Sequence, residues 1–373
     1  MSGANSWTGG ITLSSASTIA SDAGTLTLAS ITNSSNLATF GGAGNISVTG
    51  SVGTSTGSLA KSGGGTLTLA GASTYTGGTS LNGGTLSISS NSALGNASGA
   101  LTFGGGTLKT SADVTSSRAI TVGTGGGTID TDGHTVILSG AISGSAMLTK
   151  SGAGTLKITT GNPSFTGPTK VSAGDLRVLA AMGVSVITVE GSGSLSGTGE
   201  VDALTVQSGG TVAPGDDGCG LLHAGIYHQQ AGAHLAIEIG GTTAGAVANG
   251  YDQLSITGGI TLAGDLQGSL LGGFQPSHGD LFFAIVNDGT DGISGIFASL
   301  PQGAVVNFGG TNFEISYTGD SAGGTFTGGN DVVLRAVPEP HALLHVGTGV
   351  ALFAGWGRRR KNLQGGWRRS LAP

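Results

Sequence analysis

Two stretches of the chain repeat one another. KSGGGTLTLAGASTYTGGTSLNGGTLSI begins at Lys61, and KSGAGTLKITTGNPSFTGPTKVSAGDLRV begins at Lys150. Both contain Lys-Ser-Gly-x-Gly-Thr-Leu, an aromatic-Thr-Gly step at Tyr75 or Phe165, and a closing Gly-x-Leu. Shorter echoes stand at Asp22 (DAGTLTLAS) and Gly104 (GGGTLKT). Self-similarity of this period is the mark of a solenoid, whose units bury their apolar side only by stacking on their neighbours. Within a unit, GTLTLA alternates small polar and apolar residues, as a strand buried on one face does. Glycine-rich turns separate it from TYTGGT and NGGTLSI. Three short strands and three turns per unit predict coils of about 20–25 residues, with rungs about 4.8 Å apart that stack like side chains into ladders. The expected fold class is all-β: a right-handed parallel β-helix (solenoid) with a C-terminal β cap and a short C-terminal hydrophobic helix.

Composition supports the pattern. Glycine is 75 of 373 residues and only 9% of residues are charged, against about 7% and about 25% in ordinary domains. The absence of a strict Gly-X-Y period excludes collagen. A hydrophobic fraction of 37% and a mean hydropathy of +0.22 exclude a solvated coil. The single cysteine, Cys219 in the turn-rich APGDDGCG, permits no disulfide within the chain and is expected to be incidental. Charge is divided unevenly. All 20 acidic residues and 8 basic ones precede Arg358, and six basic residues with no acid follow from there. An acidic body argues against nucleic acid as a partner.

From Tyr251 phenylalanine becomes frequent (Phe274, Phe282, Phe283, Phe297, Phe308, Phe313, Phe326) and the strand patterns lengthen, as in DLFFAIV. A cap is expected there, because an open coil end is an unpaired edge. The predicted organisation is therefore β-helix repeats over 1–250, a β-rich cap over 251–336 and a separate terminal segment over 337–373.

The units at 61–88 and 150–178 resemble the autotransporter-associated β-strand repeat, found in passenger-type domains of secreted and surface proteins of Gram-negative and related bacteria. LSGTGEV, SGGTVAPG and GAHLAIEIGG, which follow, resemble the ends of such passengers, and the resemblance extends over most of 1–335. It implies an exported solenoid and names no ligand. MSGANSWTGG at the start has neither a basic nor an apolar signal region and reads like the interior of a repeat, so an upstream segment is expected.

The terminal segment has its own logic. Pro338 and Pro340 flank Glu339 and cannot continue a paired strand. No Asp, Glu, Lys or Arg occurs from His341 to Gly357, and Arg358, Arg359, Arg360 and Lys361 follow. An apolar stretch with a basic end is the layout of a membrane segment whose positive end stays in the cytoplasm. Ala342 to Trp356 is short against the roughly 20 residues needed to span a bilayer, and His345 interrupts it. The order of parts is similar to the PEP-CTERM sorting signal. That resemblance implies recognition by exosortase, an integral-membrane sorting enzyme. Pro338, Glu339 and Pro340 match its motif. Ala342, Leu343, Leu344, Val346, Val350, Leu352, Phe353 and Trp356 match the membrane segment, and Arg358 to Lys361 match the basic stop. The tail running on through NLQGGWRRSLAP departs from the pattern.

The polar residues allow rival readings. Asp130, Asp132 and His134 in TIDTDGH would make a small acid–base site, but TDGH is also an ordinary turn, and the same holds for Asp216-Asp217 in APGDDG. His223, His228 and His234, with Glu238, have no CxxC or HExxH in support of a metal. Neither a Walker loop nor a nucleophile elbow in strand-to-helix context is present. The expectation is a secreted or cell-surface structural or adhesin-like solenoid, non-enzymatic and without a cofactor. Its expected partners are exosortase, the membrane as a transient anchor, and extracellular polysaccharide or envelope components. The alternatives are a carbohydrate-active β-helix enzyme and an autotransporter-type passenger adhesin.

Overall fold

A computed structural model describes residues 3–245, 248–288 and 291–337. Over them the chain is an all-β parallel solenoid with almost no helix: one 3-10 turn, Asn91–Leu94, is the only helical element among the described residues. Three faces recur in order. Face one is a ladder of Ser17–Ala20, Leu37–Gly41, Ser58–Lys61, Thr79–Leu81, Leu101–Phe103, Ile120–Val122 and Ile142–Gly144. Face two stacks Ala4–Trp7, Thr25–Leu28, Asn45–Val48, Thr66–Leu69, Thr85–Ile88, Thr107–Thr110, Gly127–Asp130 and Leu148–Ser151. Face three is irregular at first and then runs through Val114–Ser116, Thr135–Leu138, Thr155–Ile158 and the second half of Thr169–Val178.

The alternation read from the sequence sets the register. In Thr66–Leu69 the threonines are half-buried and the leucines buried, because a strand's side chains alternate between its faces. Leu67, Leu86, Leu108 and Ile129 are direct partners on successive rungs and are all buried. Burying each such side chain is worth about 1.5–3 kcal/mol. A coil takes 21 residues where Thr107 meets Thr128 and Thr128 meets Thr149.

Each repeat lysine breaks one of these apolar columns. Lys61 lies between Phe40 and Leu81 on face one, and Lys150 between Ile129 and Val171 on face two. They are 3% and 0% exposed, respectively. Their ammonium groups turn into the corner that follows the strand. Lys61 Nζ donates to the carbonyls of Ser62 (2.6 Å), Gly63 (2.9 Å) and Gly83 (3.3 Å). Lys150 Nζ donates to those of Ser151 (3.0 Å), Gly152 (2.7 Å) and Ala173 (2.9 Å). Three donors thus satisfy two carbonyls of the lysine's own corner and one of the corner stacked above. Burial lowers the pKa of both ammonium groups, that of Lys150 to about 8. The stacked corner needs glycine. Gly84 and Gly174 have φ of +62° and +67°, and a Cβ on either would stand 2.7 Å from the lysine Nζ and 2.4 Å from a backbone oxygen.

A third buried cation orders the one long excursion between faces. Arg118, 3% exposed, donates through Nε to Asn91 Oδ1 (2.8 Å) and through its two terminal nitrogens to the carbonyls of Asn91, Gly95, Asn96 and Gly99. The loop at 90–100 is wrapped around this guanidinium.

Parallel rungs continue beyond residue 250. His228 pairs with Thr261 and Thr261 with Ser294, so the coils there lengthen to 33 residues. Antiparallel pairing then closes the stack. Leu281–Asn287 pairs with Asp331–Val337, which also pairs with Thr311–Gly319, itself the partner of Val305–Phe308. Phe282 packs edge-on against Tyr251, Phe274 and Phe313, and Phe326 is half-buried beneath the Arg335 guanidinium. The predicted C-terminal helix and the residues of the sorting motif, membrane segment and basic stop, 338–361, lie outside the described residues. Among the described residues no helix is long and apolar enough to cross a membrane.

Candidate functional site

Face three carries the densest charge in the body. Lys157 and Arg177 project outward from adjacent rungs as direct partners, where two like charges repel. Acidic groups from two sources neutralise them. Asp175, on the Arg177 strand, accepts from Arg177 Nε at 3.2 Å and from Ser194 and Ser196 hydroxyls at 3.0 and 2.8 Å. Asp216 and Asp217 come from the turn after Thr211–Pro214, which folds back over the face. Asp216 takes Lys157 Nζ on both oxygens, at 2.9 and 2.8 Å, and one Arg177 nitrogen at 2.8 Å. Asp217, at φ +60°, meets the same nitrogen at 2.7 Å. Burial works against the charge of Asp216, but the hydrogen bonds from Lys157 and Arg177 outweigh it and hold its carboxyl below the usual range. The same pairing keeps Arg177 firmly protonated against its own burial.

Beside this clamp lies an open groove of about 500 Å³, lined among others by Arg177, Ser196, Asp217, Glu238, Asp252 and Gln267. Asp252 is 1% exposed and receives the amides of Gly220 (2.7 Å) and Glu238 (2.8 Å). Burial pushes its carboxyl up to about 7. Cys219 is buried with its thiol toward the carbonyls of Gly250 (3.1 Å) and Glu238 (3.4 Å), and burial raises its pKa. Asp252 and Cys219 therefore pin the C-terminal end of the turn that carries Asp216 and Asp217, and backbone hydrogen bonds exchanged between Gly215 and Gly197 hold its start. Chemically the arrangement is a loop clamp whose charges are spent on one another. Replacing Asp216 with Ala should leave Lys157 and Arg177 facing each other with one fewer counterion and free the turn. Because the cluster is partly solvated, the expected loss is ~1 kcal/mol. Faster amide exchange confined to residues near 215–220 would register it.

The remaining polar candidates are scattered. Asp130 and Asp132 sit in a corner four coils from Asp216. Asp130 Oδ1 accepts the Asp132 amide at 3.0 Å, Asp132 has φ +46°, and both carboxylates pair with Lys109, at 3.8 and 3.0 Å. His134 faces Asp113 at 3.8 Å. His223 and His228 are exposed on Leu221–Gln229, and His234 pairs with Asp265 at 3.4 Å on a different face. Among the described residues no group of three or more His, Cys, Asp or Glu is placed to hold a metal ion. Sequence reasoning found Asp216 and Asp217 but not their partners. Lys157 is 59 residues away, and no local spacing announces it.

Comparison with known proteins falls on the lysine corners. Residues 59–88 and 148–178 match the passenger-associated-transport-repeat. Two segments of the chain are thus similar to this repeat. Each contains one buried lysine and the glycine stacked above it. Over 76 residues the chain is also 45% identical to an extracellular serine protease of Serratia marcescens, a stretch that is 20% of this chain and 7% of the protease. The chain thus spans a small part of that relative's length.

Proposed function

We propose that this chain is an exported, surface-displayed structural protein, adhesin-like and non-catalytic. Its solenoid is the displayed rod, and residues 337–373 are a sorting and membrane segment acted on by an exosortase-type membrane enzyme. The observation that carries the export reading is the pair of matches to the passenger-associated-transport-repeat, each containing one of the buried-lysine corners. The sorting reading rests on the succession of Pro338-Glu339-Pro340, an uncharged apolar stretch and Arg358 to Lys361 behind an acidic body. The basic end resists translocation while the segment holds the chain transiently at the inner membrane. In this reading envelope components are the partners, and no cofactor takes part.

The test compares the native chain with Pro338→Ala/Glu339→Ala/Pro340→Ala in hosts with and without exosortase. Surface display and intact C-terminal mass are the readouts. Loss of the terminal segment is expected only for the native chain in the exosortase host. Identical mass and display in all four combinations would refute the sorting assignment.

A further inference from the structure

Face two presents an outward grid that neither the charge clamp nor the sorting segment uses. Four successive rungs read TLT, NIS, TLT and TLS, at 25–27, 45–47, 66–68 and 85–87. Their outward residues form two columns in strict register, with Thr27, Ser47, Thr68 and Ser87 as direct partners in one. The other begins with Thr25 and Asn45 and goes on through Thr66, Thr85, Thr107, Thr128 and Thr149. Rungs about 4.8 Å apart, with outward residues two positions apart on each strand, give a mesh of about 4.8 by 6.7 Å.

Three properties restrict what such a mesh can hold. First, its hydroxyls are unspent. Corner hydroxyls bond the backbone, as Thr49 does to Leu28 O (3.2 Å) and Thr131 to Ala153 O (2.5 Å). Among the described residues, the hydroxyls of the four rungs have no partner in the protein. Second, these rungs carry no charge and no aromatic ring. An ionic polymer would find no countercharge there, and a polysaccharide no ring to stack on. Third, the threonines are stiff at χ1 and half-buried by their neighbours in the ladder. Their hydroxyls and methyls are therefore held in rows.

We propose that face two binds ice. Rigid hydroxyl rows would hold a first layer of water at a two-dimensional spacing close to that of oxygen rows on an ice prism face, with the methyl groups limiting other water orientations. The column from Thr27 to Ser87 ends where Lys109 and Asp130, its next members, form an ion pair on rungs five and six, and this sets the length of the two-column surface.

The full-length chain would be assayed for inhibition of ice recrystallisation and for faceting of single ice crystals, with folding checked by circular dichroism. Activity is expected for the native chain. It should be lost in Thr66→Lys/Thr85→Lys and kept in Thr102→Lys/Thr121→Lys, which places the same charge outward on adjacent rungs of face one. Lys109→Thr/Asp130→Thr would lengthen the mesh and should increase activity. A folded native chain without either effect would overturn the proposal. So would equal loss in the face-one control, no gain in the folded lengthened variant, or retention on insoluble cellulose in place of ice.

Discussion

Lys150→Met should destabilise the solenoid by about 3–5 kcal/mol, read as a lower urea midpoint. Methionine fills the space but donates nothing, so the carbonyls of Ser151, Gly152 and Ala173 lose the ammonium they share. Unsatisfied buried acceptors cost about 1–3 kcal/mol each. Lys61→Met should behave alike, since Lys61 serves the equivalent corner. The lysine also predicts a pH effect. Its pKa is lowered to about 8 by burial, while in the unfolded chain it titrates near 10.5. Between these values the unfolded state binds more protons, so stability should rise as pH goes from 8 to 10.5. That increment should be missing in Lys150→Met. A variant as stable as the native chain, with an unchanged pH profile, would mean that the corner does not depend on its ammonium.

Arg118→Met should cost about 3–5 kcal/mol. The guanidinium supplies five donors to the loop wrapped around it, and every donor is used. Arg118→Lys should recover little, because an ammonium cannot reach acceptors spread across the fork of a guanidinium. Hydrogen exchange should show the change first at 90–100, with the flanking face-one and face-two ladders still protected. Uniform loss of protection along the whole stack would show instead that Arg118 supports the solenoid as a unit.

The repeat and its alternation were sufficient to predict parallel coils, because TLTL next to a glycine turn leaves few other ways to bury leucine. The turn character of TDGH was also legible: Asp132 and Gly133 both have positive φ, at +46° and +91°. The buried cations were not. Lysine is rarely fully buried, and an isolated Lys61 would be assigned to the surface. The available signal was that Lys61 and Lys150 precede the same Ser-Gly-x-Gly. Arg118 had no such signal, since its acceptors lie 19 to 27 residues upstream. The clamp was half-visible. Asp216-Asp217 stood out, but its cations lie on earlier coils that only the solenoid brings within reach. The long final coils escaped a reading built on a fixed period.

The two lysine corners do not stand at the same edge of the prism. Lys61 ends a strand of face one and Lys150 a strand of face two. The bend they make is therefore portable: it serves wherever a strand must turn, irrespective of the direction in which that strand points. A gene encoding such a rod can gain or lose a single side of a coil and still seat its next bend correctly. Lineages sharing this corner should accordingly vary in length by fractions of a turn as well as by whole ones.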